Sequence, residues 1–244
     1  KSKYKFSKIK KFYEYEPQII TSEKGVIFFD NKGAILNFSK NSNLLWKKNY
    51  YSKNEQNKNP ILFFASNKDF LIVADTIAKL YVIDINTGKL IWSKKNSAPF
   101  NSQIKIYNDK FFVIDFDNNL KGYLIKNGEK ILDVKTENTL IRSQKKLSIV
   151  VVNENIYFNN SLGDISSVNI KSGELLWQTP TQNYLVYNDS LFLKTSEIIT
   201  DNKNLYFSNN KNEFFSLNLK TGTLNWKQDI NSNLKSTIVG DLLF

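Results

Sequence analysis

The feature that most constrains this chain is a repeated hairpin. LYVIDINTGKLIW (80–92), SSVNIKSGELLW (166–177) and FSLNLKTGTLNW (215–226) share one plan: an apolar run, a tight turn, and a second run reaching tryptophan. A degenerate copy, LIKNGEKIL (124–132), puts Leu132 in the tryptophan slot, and Trp46 marks a first copy. The markers at 46, 92, 132, 177 and 226 are spaced 46, 40, 45 and 49 residues apart. Gly88, Gly128, Gly173 and Gly222 each stand four residues before their marker, and Ser42 takes that place in the first copy. A period of this length signals a repeat architecture, in which each unit buries its apolar surface against its neighbours.

Each period also holds two earlier short runs, such as ILFFAS and FLIVAD before KLYVIDI and KLIW, or LSIVVV and NIYFN before DISSVNI and ELLWQ. Turn-forming residues separate them: DNKG, NNSLG, SNNKN, NTG, KSG, KTG. Four short strands per period, with few interior charges, imply sheets covered on both faces. The expected fold is all-β: a β-propeller of four-stranded antiparallel blades. The turn glycine supplies the positive φ that a short hairpin needs. The tryptophan supplies roughly 150–250 Å² of buried surface where one blade meets the next. No segment keeps a 3.6-residue apolar stripe over three turns, which argues against a helical fold.

At this period 244 residues hold about five blades, and STIVGDLLF (236–244) reads as the opening of another. The expectation is one propeller domain over 1–244, a fragment of a seven- or eight-bladed ring. In it YKFSKI, within the basic segment 1–16, contributes a ring-closing strand, and missing partners leave exposed strand edges. The chain opens on lysine rather than methionine, so a signal peptide or lipid-anchor segment is expected upstream.

Composition narrows the function. There is no cysteine and no histidine, which removes thiolate chemistry, disulfides, the commonest metal ligand and the usual proton shuttle. The net charge of +11 invites a nucleic-acid reading, but Arg142 is the only arginine among 34 basic residues, and base and phosphate recognition favours the arginine fork. The first 16 residues carry +4 and the rest is scattered, as on a solvated surface; weak attraction to anionic lipid is the functional alternative. No apolar run approaches the roughly 18 residues of a membrane-spanning helix.

The unit D-x-x-T-G-x-x-x-W, here Asp84, Thr87, Gly88 and Trp92, resembles the repeat of the PQQ-like β-propellers. Asn169, Ser172, Gly173 and Trp177 match it with substitutions, as do Asn218, Thr221, Gly222 and Trp226; the third copy keeps only Gly128 and the first only Trp46. Two branches follow from this resemblance. Quinoprotein dehydrogenases hold pyrroloquinoline quinone with a divalent ion, many beside a vicinal disulfide, and this chain has neither the cysteines nor an evident carboxylate cluster. The BamB-like branch consists of periplasmic lipoproteins of the outer-membrane β-barrel assembly machinery, and suits the composition better. The resemblance implies a non-catalytic scaffold without cofactor or metal, partnered by a BamA-like barrel protein and not by nucleic acid. It also implies peripheral attachment to the outer membrane through a lipid anchor. A quinoprotein fragment, and a generic protein-binding propeller or sensor ectodomain, are the alternatives.

No catalytic, cofactor-binding or metal residue is expected. DFDNN (115–119) opens like a calcium loop, but Leu120 and Lys126 stand where that loop needs glycine and glutamate. Asp30, Asp75 and Asp115 recur where a second strand ends, and Asp84 is expected to cap its own hairpin. Phe63, Phe64, Phe111 and Phe112 are assigned to core rather than to base stacking. Tyr50 and Tyr51 with the insert 52–60 form the clearest break in a repeat, read as a solvated loop with a contact loop as the alternative. The binding residues stay unassigned.

Overall fold

The computed structural model describes residues 18–136, 146–181, 194–230, 232 and 234–244. Residues 1–17, with the expected ring-closing strand, and Arg142 lie outside that set. Five four-stranded meanders follow one another. The first comprises β1 (Ile20–Ser22), β2 (Gly25–Phe29), β3 (Ala34–Ser39) and β4 (Leu44–Asn49). A short helix α1 (Lys53–Gln56) precedes the second: β5 (Leu62–Ser66), β6 (Phe70–Asp75), β7 (Lys79–Asp84) and β8 (Leu90–Lys95). The third comprises β9 (Lys105–Tyr107), β10 (Lys110–Ile114), β11 (Asn119–Leu124) and β12 (Lys130–Lys135). The fourth comprises β13 (Ile149–Val152), β14 (Asn155–Asn159), β15 (Ile165–Asn169) and β16 (Leu175–Thr179). The fifth comprises β17 (Ile199–Thr200), β18 (Asn204–Ser208), β19 (Glu213–Asn218) and β20 (Leu224–Asp229), and a last hairpin pairs β21 (Ile238–Val239) with β22 (Leu242–Leu243).

The marker residues fall at one register position in all five sheets. Trp46, Trp92, Leu132, Trp177 and Trp226 sit opposite Asn37, Val82, Gly122, Ser167 and Ser216, and the pairing shifts by one residue immediately beyond each pair. Such a bulge re-aims the strand and sharpens its twist. The expected recurrence is therefore a recurrence of geometry.

Burial separates the strands of a sheet. β6 and β10 are buried along nearly their whole length and β7 and β11 through their middles, so both faces are covered as expected. The fourth strands differ: β8 and β20 are mostly or wholly exposed. Each is the outer edge of its sheet, with one side unpaired.

The chain divides into two compact units, and the division runs through the third sheet. One takes the first two sheets with Asn108–Phe111 and Leu124–Glu129; the other takes Asn101–Tyr107, Phe112–Tyr123 and everything from Lys130 onward. The first is built around Ile27, Ile35, Leu71, Val73, Tyr81 and Ile83, all without solvent exposure. In the second, one cluster gathers Phe112, Ile114, Ile156, Phe158 and Val168, and another gathers Ile165, Leu205, Phe207 and Leu217. Each such side chain contributes roughly 1.5–3 kcal/mol of hydrophobic stabilisation.

Candidate functional site

The most repeated constellation joins a tryptophan to the turn of the following sheet. Gly88, Gly128, Gly173 and Gly222 have φ of 67°, 70°, 71° and 71°, as the hairpin requires. A second constraint is not evident from the sequence. A Cβ at Gly88 would lie 2.9 Å from the Trp46 ring, one at Gly128 2.8 Å from Trp92, and one at Gly222 2.5 Å from Trp177. Gly173 faces Leu132, the degenerate marker, at 3.1 Å. The indole thus lies flat on the next turn, and only a residue without a side chain admits it. Trp46 Nε1 donates to the Ile85 carbonyl at 3.2 Å, and Trp92 Nε1 to that of Ile125 at 2.7 Å. Trp226 is 37% exposed and stacks on Phe214 of its own sheet.

The aspartates singled out by sequence are turn caps. Oδ1 of Asp30 accepts from the backbone N–H of Lys32 and Ala34, that of Asp75 from Ile77 and Lys79, and that of Asp115 from Asp117 and Asn119. Asn160 and Asn209 do the same for Leu162 and Asp164 and for Lys211 and Glu213, completing a set of five. DFDNN is accordingly a hairpin turn. Lys121, 6% exposed, sets its Nζ 3.6 Å from Asp115 Oδ2 and 3.3 Å from Asp133 Oδ1, so an ammonium balances the buried charge. Among the described residues no group of three or more acidic side chains could hold a metal ion.

Asp84 caps its own hairpin as expected, accepting from the N–H of Asn86 and Thr87 and from the Thr87 hydroxyl. Burial pushes its carboxyl up, but the hydrogen bonds from Thr87 and Asn86 more than offset that and hold it below the usual aspartate range. Asn169 and Asn218 make the same turn without a charge.

The insert at 52–60 is mostly exposed, as expected of a solvated loop, and is tied to the second sheet through Glu55. Ser52 and Glu55 form a reciprocal capping box on α1, a pattern legible in SKNE. Lys79 Nζ reaches the Tyr50 carbonyl at 2.6 Å and Glu55 at 3.4 Å, and lies 4.8 Å from the centre of the Tyr51 ring. The Tyr50 hydroxyl donates to the Gly88 carbonyl, and that of Tyr51 to Asp75 Oδ2 at 2.5 Å. Burial raises the Asp75 carboxyl and holds the Tyr51 hydroxyl well above the ordinary tyrosine value. Phe63, Phe64, Phe111 and Phe112 are all buried and serve packing.

Within the first unit a polar recess of about 300 Å³ opens beside Ser22, Lys24, Asn37, Asn67 and Lys68. Asn37 is 2% exposed; its Nδ2 reaches the Ile85 carbonyl at 3.4 Å, while its Oδ1 is buried with no hydrogen-bond partner. Its lining contains no histidine or cysteine, and no nucleophile hydrogen-bonded to a base. The constellations of these sheets are devices of packing and turn formation.

Residues 26–244 match the family described as outer membrane protein assembly factor BamB. The chain belongs to the BamB family. A search of the curated proteins gave no match. Among solved structures, BamB from Moraxella catarrhalis is similar with TM-score 0.68 at 15% identity, over 92% of this chain and 64% of that one. The computationally designed Ika8 protein gives 0.70 at 11%, over 92% and 65%. The quinohemoprotein alcohol dehydrogenase ADHIIG from Pseudomonas putida HK5 gives 0.62 at 15%, over 87% and 41%. The chain thus spans less than two thirds of the length of each. These likenesses establish the fold: the repeats are PQQ-like β-propeller blades.

Proposed function

We propose that this BamB-family chain is a non-catalytic scaffold supporting assembly of β-barrel proteins into the outer membrane. Its partner would be a BamA-like barrel protein of the assembly machinery, and its place the periplasmic side of the outer membrane, tethered by a lipid anchor. Residues 1–244 would act as one propeller domain. The observation that carries the reading is the family match over 26–244. The chemistry agrees, because the carboxylates at recurring offsets are spent on turns and ion pairs, and the chain has no histidine or cysteine. No helix among the described residues is long and apolar enough to cross a membrane. Tagged protein incubated with envelope extract should recover the barrel component of the assembly machine. Recovery of none of its components contradicts the reading.

The likeness to a quinohemoprotein alcohol dehydrogenase supports a second reading, a quinone-binding propeller. The residues present fit it poorly, since the described residues offer no carboxylate cluster for the accompanying divalent ion. Titration with pyrroloquinoline quinone and calcium, followed by absorbance, should give no saturable binding; a saturable isotherm would favour the enzyme.

A further inference from the structure

We infer that the outer edges of the first two sheets form a docking surface for an anionic phospholipid membrane. β4 reads LLWKKN and β8 reads LIWSKK, and neither contains an acidic residue. Both are outermost strands. Leu45, Leu90 and Ile91 are 46%, 41% and 42% exposed, and Lys47, Lys48, Lys89, Lys94 and Lys95 are exposed beside them. None of these five lysines forms an ion pair among the described residues. The two edges adjoin. Trp46 donates to Ile85, Tyr50 to the Gly88 carbonyl, and the Lys48 stem lies 3.0 Å from where a Gly88 Cβ would be. Lys47 and Lys48 therefore lie near the turn from which Lys89, Leu90 and Ile91 emerge.

The pattern is specific to these two strands. In β12 Asp133 engages Lys130 and Lys121, in β20 Lys227 is paired with Glu213, and β16 carries no charge. A uniformly lysine-rich composition would not leave unpaired lysines and bare aliphatics together on two strands alone. Exposed aliphatics interleaved with free ammonium groups suit a surface that offers hydrocarbon and phosphate together. Nucleic acid would use the lysines and leave the aliphatics in water. The edge carries no arginine and no fully exposed ring for base stacking.

The test is co-sedimentation of the full chain with phospholipid vesicles. Binding is expected to vesicles of phosphatidylcholine mixed with phosphatidylglycerol, to weaken with added salt, and to be absent with phosphatidylcholine alone. The K47Q/K48Q/K94Q/K95Q variant should lose about 5-fold per lysine, roughly 600-fold in total. K24Q/K53Q/K58Q/K68Q removes the same charge from exposed sites outside β4 and β8 and should bind within about 3-fold of the parent. Equal losses in the two sets overturn the proposal in favour of net charge alone. L45S/L90S/I91S leaves the charge unchanged and should weaken binding several-fold. Undiminished binding by that variant, or stronger competition by polyglutamate than by vesicles, overturns it in favour of an acidic polymer. This outcome is independent of the pulldown with the assembly machine.

Discussion

An aspartate or asparagine closes the second strand of every sheet, and asparagine stands wherever the residue four positions on is acidic. Asn160 donates from Nδ2 to Asp164 at 3.2 Å and Asn209 to Glu213 at 2.7 Å, whereas Asp75 is followed by Lys79 and Asp115 by Asn119. Two carboxylates never meet in these turns. Asn160→Asp places a second carboxylate against Asp164, both sites being essentially without exposure. It should cost about 3 kcal/mol at neutral pH, as an uncompensated buried charge does. The pair's proton affinity rises, so the loss should shrink as pH falls through that raised value, which urea unfolding across pH would show. Asp84 works in the opposite sense. Its carboxyl is held low in the folded state, so its contribution is present above the ordinary aspartate value and is lost as pH falls through the folded one. Asp84→Asn, the residue used naturally at 169 and 218, should keep the turn and flatten the acid limb of the stability profile.

For the element, the third hairpin of the second to fifth sheets carries two separable demands on its glycine, whereas in the first sheet Ser42 takes the positive φ, 61°, in its place. Gly240 has φ 59° with nothing within 4 Å of the place a Cβ would occupy, whereas Gly222 has φ 71° and meets the Trp177 ring. Gly240→Ala should therefore cost about 1 kcal/mol for its backbone alone. Gly222→Ala should cost about 2–4 kcal/mol, because overpacking adds to the backbone term. Gly173→Ala should fall between them, since the Leu132 methyl it meets is the end of a flexible chain. Chemical denaturation of the three variants ranks them. The turn, its glycine and its register are legible from spacing, because a hairpin imposes a local rule. The indole resting on the turn is not, since that contact joins residues some 40 positions apart. Asn160 and Asn209 stand 17 residues before their markers, as Asp75 and Asp115 do. Their shared role is hidden in the sequence because amide and carboxylate differ in charge, although either oxygen can accept from the turn's N–H groups.

For the whole molecule, stability should behave as a sum over blades and the contacts between neighbours within each unit. The net charge of +11 adds self-repulsion, so the melting temperature should rise on going from low to physiological salt. The family is legible because its signature is the packing device itself, and the proposed docking surface is not, because no recurring residue marks it. The recess at Asn37 and the edges of β4 and β8 depart from the repeat, and such departures gain meaning only once the sheets are superposed on their period. Everything above this scale rests on the indole and the glycine turn acting as one lock between sheets. A double-mutant cycle of Trp177→Leu and Gly222→Ala measures that directly. Removing the ring should relieve much of the alanine's cost, giving a coupling of about 1–3 kcal/mol, with Gly240→Ala additive to Trp177→Leu as the control. Strict additivity at Gly222 would contradict the lock.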